Sequence, residues 1–307
     1  MAGIRISIII PTQRRPGPLA LAAQSALAQV GVERSEIELV IVDNDALPSA
    51  QPVVERLRDG TDIPIVYVHE TRPGVAHARN AGMAAARGSL IAFLDDDEEA
   101  PGGWLAALLA TQARHTADVV FGPVRARVPE TARHRAYLAR FFSRVGPEAE
   151  GPMAGYFGCG NSLVRRAALP DPVAPFALER NHIGGEDDLL FGHMQAAGAR
   201  FAWAPDAWVH EDPAPSRLTL RYTLLRAFAY GQGPTEHCAS SVPPDRLGVV
   251  KWMAIGVGQS LVFGAVAALA WITGAPDRAQ RLDRAARGLG KTLWFGPFKL
   301  SFYGQTT

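Results

Sequence analysis

The chain has 307 residues, 48% hydrophobic and 20% charged, enough apolar material for a sizeable core in one large domain or two small ones. Its 31 basic residues against 30 acidic ones leave a net charge of +1, with no strongly basic tract in the first 240 residues, so a nucleic-acid-binding surface is not expected. Two cysteines, Cys159 and Cys238, lack metal-site or redox spacing and suit a reducing compartment.

The apolar stretch Ile4 to Ile10 is interrupted by Arg5 and stopped by Pro11, unlike a secretory signal, and the domain is expected to stay in the cytosol. Ile6 to Ile10 is a short β-branched run, Leu19 to Val30 has helical periodicity, Glu38 to Val42 reads as a second strand and Gln51 to Arg58 as a second helix. Ile65 to His69, the Ala-rich Val75 to Arg87, and Leu90 to Leu94 repeat the alternation, which predicts a mainly parallel α/β sheet covered on both faces. Ligands of such sheets bind at the carboxyl ends of the strands. Four polar segments stand there: Pro11 to Arg14, Asp43 to Asp45, Glu70 to Arg72, and the cluster Asp95, Asp96, Asp97 and Glu98. They are expected to face one crevice.

Four packed carboxylates repel one another, and a hard divalent cation shared with nucleotide phosphates would relieve them. The alternative is the acidic first turn of a helix starting near Pro101. No G-x-G-x-x-G follows the first strand and no G-x-x-x-x-G-K-[ST] occurs, so a nucleotide would be held by side chains and metal. Farther on, Val145 to Gly160 reads as a long loop and Ser240 to Pro244 as a linker. Trp252 to Gly274 contains no ionisable side chain and is long enough to cross a bilayer; an Ala- and Gly-rich core helix is the alternative. Arg246 and Lys251 before it, and Arg278, Arg281, Arg284, Arg287 and Lys291 after it, argue for both ends being cytosolic, leaving a single crossing and a monotopic insertion open. The aromatic stretch Thr292 to Tyr303 suits the headgroup level.

These motifs in this order resemble glycosyltransferase family 2, inverting enzymes of the GT-A fold, over about residues 5 to 235. The carriers are Ser7 to Arg14 with its Pro-Thr ending, Leu39 to Asn44, Arg79-Asn80-Ala81-Gly82 leading into the acidic cluster, Cys159-Gly160-Asn161-Ser162, and Gly184-Gly185-Glu186-Asp187-Asp188. Together with Phe228 to Gly231 they are similar to exopolysaccharide transferases of the succinoglycan type. The resemblance implies a GT-A domain over 1–240 and a hydrophobic, basic, membrane-associated tail over 241–307. It implies donor contacts from Pro11, Thr12, Arg14, Asp43, Arg79, Asn80, Asp95 and Asp96, acceptor contacts from Gly160, Asn161 and Glu186, Mg²⁺ or Mn²⁺ on Asp97 and His210, and Asp187 as general base. An exchange of roles among Glu186, Asp187 and Asp188 stays open. Cys159 is expected to be a small buried residue rather than a nucleophile; His182 and His193 are assigned no role, and Arg221, Arg226 and Tyr230 are candidates for phosphate contacts.

The Gln-x-x-Arg-Trp motif and multiple spans of processive relatives are absent, which implies single addition. The expected reaction is transfer of one sugar, glucose from UDP-glucose, to a lipid-linked oligosaccharide at the cytoplasmic face of a bacterial membrane. A nucleotidyltransferase would need a Gly-rich loop after the first strand, which Pro11 to Pro16 does not supply. A membrane-tethered nucleotide-sugar binding protein would not need the base.

Overall fold

Alternate isoleucines of β1 (Ile6–Thr12) enter two cores, which fixes this strand at the centre of a sheet. Ile8 and Ile10 pack with Leu19, Ala22, Ala23 and Ala26 of α1 (Pro16–Leu27), a helix opened by a proline at its start. Ile9 points the other way. The computed structural model describes residues 3–181 and 185–300. Its described residues form two compact units, one holding the chain up to Ala126 together with Ser143–Asp212, the other Arg127–Phe142 and residues 213–300.

In the first unit β2 (Ile37–Asp43), buried at every position, lies parallel to β1, and after α2 (Gln51–Arg58) the strand β3 (Ile65–His69) lies parallel to β2. Helix α3 (Val75–Ala85) covers the opposite face, where Ala76, Ala78 and Met83 meet Ile9, Val40 and Val42. A Cβ on Gly82 would stand 2.7 Å from Ile9 Cγ2, so the glycine in the Asn-x-Gly motif permits close helix-to-strand packing. Strand β4 (Leu90–Phe93) completes the parallel set beside β1.

Beyond β4 come β5 (Glu98–Glu99), α4 (Trp104–His115), β6 (Val119–Phe121) and β7 (Val124–Ala126). The acidic cluster therefore occupies a loop and a short strand, and α4, which begins later at Trp104, has no acid in its first turn. The chain then enters α5 (Arg135–Phe142) of the second unit and returns at Arg144, where paired backbone hydrogen bonds of 2.9 Å join Val124 to Arg144. The segment read as one long loop contains β8 (Gly151–Met153); β9 (Ser162–Arg165), α6 (Glu186–Ala196), β10 (Phe201–Trp203) and β11 (Val209–Glu211) follow. The main sheet has the order β3-β2-β1-β4-β9-β6-β10-β8, with β9 and the edge strand β8 running against the rest. Because β9 is reversed, its first residue, Ser162, pairs with Phe93 and Phe121, the last residues of β4 and β6. The loop entering β9 thus reaches the carboxyl edge of the parallel strands. A small sheet, β5-β11-β7, lies in the same unit.

The second unit joins α5 to α7 (Leu220–Ser240), α8 (Arg246–Ile272) and α9 (Arg278–Thr292). Thr219 Oγ1 accepts from Tyr222 N (3.2 Å) and Asp245 Oδ1 from Gly248 N (2.8 Å), capping α7 and α8. Helix α7 runs on through Pro234, and Gly231 and Gly290 let α7 and α9 approach closely: Cβ atoms there would lie 2.2 Å from Arg287 O and 2.0 Å from Phe228 O. Gly256 and Gly288 admit α8 to α9 in the same way. Helix α8 buries only Gly256, Ala267 and Ala270, while Leu261, Val262, Leu269 and Ile272 are exposed, so it is not a core helix. Its length and composition would let it cross a membrane. Residues 301–303 of the aromatic stretch lie outside the described residues.

Candidate active site

The carboxyl ends of β1, β2 and β4 are tied together by side chains. Thr12 Oγ1 donates to Asp96 Oδ2 (2.7 Å), and Arg15 reaches Asp96 Oδ1 (2.6 Å) and Asp97 Oδ2 (2.9 Å). Asn44 N donates to Thr12 O (2.8 Å), while Asn44 Nδ2 donates to the carbonyls of Glu70 and Arg72 (2.8 and 2.7 Å). These bonds join the four polar segments expected to share a crevice. Pro11 is half-buried opposite Val42 in β2. Arg14, in a left-handed conformation (φ 57°), turns to Asp45 (2.9 Å). The guanidinium that meets the acidic loop belongs to its neighbour Arg15. Asp43 is fully buried and accepts from Ala50 N (2.6 Å), Ser49 Oγ (3.2 Å) and Tyr67 Oη (3.0 Å), fixing the loop after β2.

The acidic residues have unequal surroundings. The Asp95 side chain is 38% exposed, against 8% for Asp96 and 1% for Glu98. Burial pushes the Asp96 carboxyl up to about 6, helped by Asp97 and Asp95 and opposed by Arg15 and Thr12. Burial likewise raises Glu98 well above the usual range, with Asp95 adding to it and Arg144 opposing. Glu98 accepts from Asp95 N (3.0 Å) and from Arg144 Nη2 (3.0 Å), and the same Arg144 nitrogen donates to Gly160 O (3.0 Å). Arg15 and Arg144 are the cations that sequence reasoning missed. Arg15 was findable as the next residue of the opening motif; no local pattern marks Arg144, whose partner Glu98 is far away in sequence.

At the start of α6 two more acids, Glu186 and Asp187, approach. Arg79, buried on α3, pairs with Glu186 Oε1, stands 3.5 Å from Asp95 Oδ1 and 4.0 Å from Asp187 Oδ2, and lies over the Phe176 ring. Glu186 is only 4% exposed, and burial raises its pKa against the pull of Arg79. Its carboxylate, expected as an acceptor contact, is engaged here by that buried arginine. Asp187 retains 19% exposure; its two oxygens accept from Cys159 N and Asp188 N, both at 2.9 Å. Burial pushes the fully enclosed Cys159 thiol up, which leaves it an inert small residue. A Cβ on Gly160 would stand 2.4 Å from Asp95 Oδ2, so this glycine permits the loop entering β9 to touch the acidic loop.

Two further candidates have their side chains engaged within the fold. Asn161 is fully buried at φ 53°, accepts from Trp104 Nε1 (2.7 Å) and donates to Pro123 O and Ala207 O (2.8 and 2.9 Å). Its amide holds the turn from inside. Asn80 exchanges hydrogen bonds with the Phe176 backbone (2.8 and 2.9 Å) and secures the loop beneath Arg79. His210 on β11 pairs in register with Glu99, and Asp212 N, from the same segment, donates to Asp97 O (3.1 Å). Its Nδ1 lies 3.4 Å from Arg125 O. Among the described residues no three His, Cys, Asp or Glu side chains form a group able to hold a metal alone. His193 is exposed, as is Arg221, while Arg226 donates to Tyr230 Oη (3.0 Å). Gly184 and His182 lie outside the described residues.

The profile described as Glycosyl transferase family 2 matches residues 7–171. The chain is 38% identical over 229 residues to the succinoglycan biosynthesis protein ExoM of Rhizobium meliloti, covering 75% of this chain and 74% of that one. It is 26% identical to the pre-mycofactocin glycosyltransferase of Mycobacterium tuberculosis over 92% of this chain, but spans only 58% of that protein. The fold is shared with the mannosyltransferase PcManGT from Pyrobaculum calidifontis, solved with GDP-Man and Mn²⁺: TM-score 0.63, 19% identity, covering 96% of this chain and 88% of that one.

Proposed function

The chain belongs to glycosyltransferase family 2, and from that premise we propose that it is an inverting enzyme moving one sugar, glucose from UDP-glucose, onto a lipid-linked oligosaccharide in bacterial exopolysaccharide assembly. The observation that carries the chemistry is the corner where Asp95 and Asp187 keep accessible faces on either side of Arg79, while Asp96, Glu98 and Glu186 are closed off by their partners. One carboxylate serves the donor side and the other the acceptor. The acceptor oxygen attacks the anomeric carbon, its proton passes to Asp187, and the bond to the diphosphate oxygen breaks with its electron pair leaving on the nucleotide. The backbone N–H groups of Cys159 and Asp188 hold the Asp187 carboxylate in place for that transfer.

Asp97 and His210 would hold Mg²⁺ or Mn²⁺, and the donor set fits such an ion. Hard cations at phosphoryl sites take one or two protein ligands and complete their shell from phosphate and water, and the two residues stand on joined segments, Asp212 N, two residues after His210, donating to Asp97 O (3.1 Å). The ion would supply charge to offset the departing diphosphate. Residues 1–240 would form the transferase domain and 241–307 the membrane-associated tail, with the exposed apolar face of α8 supporting attachment at the cytoplasmic side of the membrane. The relative's role in succinoglycan biosynthesis supports the polysaccharide setting.

The test is UDP release from a panel of UDP-sugars by detergent-solubilised protein with bacterial lipid extract, with and without Mg²⁺ or Mn²⁺. Metal-dependent turnover of UDP-glucose is expected. Selective turnover of another sugar would overturn the donor assignment, and full turnover in chelator would overturn the metal.

A further inference from the structure

The helical unit contains a cavity of about 300 Å³ lined by α5 and α9, apart from the residues assigned to sugar transfer. Arg140, Arg284 and Arg287 line it with Gln280, against a single carboxylate, Asp283. That carboxylate is buried and engaged: Oδ1 accepts from Arg287 Nε (2.8 Å) and Oδ2 from Tyr137 Oη (3.2 Å). Among the described residues no carboxylate pairs with Arg140 or Arg284. Aromatic faces position two of the guanidinium groups: Arg284 lies 5.1 Å from the Phe263 ring centre and Arg287 lies 5.3 Å from that of Tyr230. A lining rich in planar, always-charged donors fits an anion with several oxygens, and phosphate matches that fork geometry.

The same unit indicates where the phosphate comes from. Helix α8, packed on α9 through Gly256 and Gly288, leaves Leu261, Val262, Leu269 and Ile272 uncovered, the kind of face a lipid surface would cover. We infer that the α5–α9 cavity binds the phosphate group of a membrane lipid, a second anion site in addition to the sugar-nucleotide crevice. The inference rests on the reading that α8 meets a membrane. Arginine, rather than lysine, is the residue that gains from a shaped cavity here, because its fork selects a phosphate instead of a diffuse negative potential.

Sedimentation of the full chain with neutral phosphatidylcholine vesicles, and with vesicles also containing phosphatidylglycerol, tests both levels. The native chain should prefer the anionic vesicles by about tenfold, in line with the attraction of basic side chains to anionic leaflets. Arg140→Gln/Arg284→Gln should lose most of that preference while keeping its binding to neutral vesicles. The charge-matched Arg246→Gln/Arg281→Gln, which leaves the cavity intact, should retain it. Equal loss in both double variants, or equal binding of the native chain to the two vesicles, would overturn the cavity assignment and leave membrane attachment standing. No binding to either vesicle would overturn attachment itself, and the lipid site with it. If inorganic pyrophosphate raised the melting temperature of the native chain, but not of Arg140→Gln/Arg284→Gln, without any vesicle preference, the ligand would be a soluble phosphate and the lipid source would be wrong.

Discussion

The crevice and the helical unit are held together by opposite means. In the crevice, residues distant in sequence meet through charge and hydrogen bonds: Arg15 with Asp96 and Asp97, Arg79 with Glu186, Arg144 with Glu98. In the helical unit, backbones approach because side chains are missing, at Gly231, Gly256, Gly288 and Gly290. The first arrangement fixes the geometry of reactive groups at the expense of desolvating them, and each buried partner depends on the other. The second builds a closely packed set of helices that leaves apolar side chains of α8 free to face outward.

Substitutions can sharpen this contrast. Asp187→Asn should lower turnover about a hundred- to ten-thousandfold with little change in stability, since its side chain is partly exposed and not bound to a buried charge at short range; UDP release and thermal melting of one preparation check both halves. Arg79→Met should destabilise the chain by about 3–5 kcal/mol by leaving Glu186 buried without its partner, and Arg79→Met/Glu186→Leu should recover most of that in urea unfolding. Failure of the double variant to recover would mean that packing, not charge, holds the corner. Gly290→Val should cost about 1–3 kcal/mol by thrusting a side chain onto Phe228 O. Gly264→Ala on α8, which meets nothing within 4 Å, should stabilise by up to about 1 kcal/mol, and thermal melting would separate the two. The smallest effect belongs to a solvated pair in the first unit. A hydrogen bond from Arg114 above all, with Thr111 and His115 helping, holds the Glu150 carboxyl down to about 2. Because the folded value lies below the ordinary 4.5, this stabilisation is complete above that pH and fades as pH falls toward 2. Arg114→Ala should move the Glu150 midpoint back toward 4.5 in a carboxyl NMR titration with little change in melting at neutral pH.

The parallel half of the sheet was legible because β1, β2 and β4 are buried on both faces and read as continuous apolar runs. Strands of two or three residues such as β5, β7 and β11 carry too few positions to show a period, and their pairing is decided by partners far along the chain. In the site, Thr12, Asp95 and Asp187 stood at motif positions that the fold gathers at one rim. The partners of Asn161, Asn80 and Glu186 were not legible, because an amide beside glycine suits a ligand contact and a buried turn equally well, and a carboxylate suits chemistry and a buried ion pair; Trp104, Phe176 and Arg79 are brought to them by the fold.

The twin hydrogen bonds between Val124 and Arg144 give the fold a splice point. Arg127–Phe142, α5 included, belongs to the second unit, so the chain leaves and rejoins the first unit next to this one pair. Lengthening a flexible closed loop costs only about 0.6 kcal/mol for each doubling, so insertions in the turns that flank α5 can accumulate there while Arg144 keeps its hold on Glu98 and Gly160. A lineage could thus rewrite what stands beyond the splice without disturbing the reactive corner.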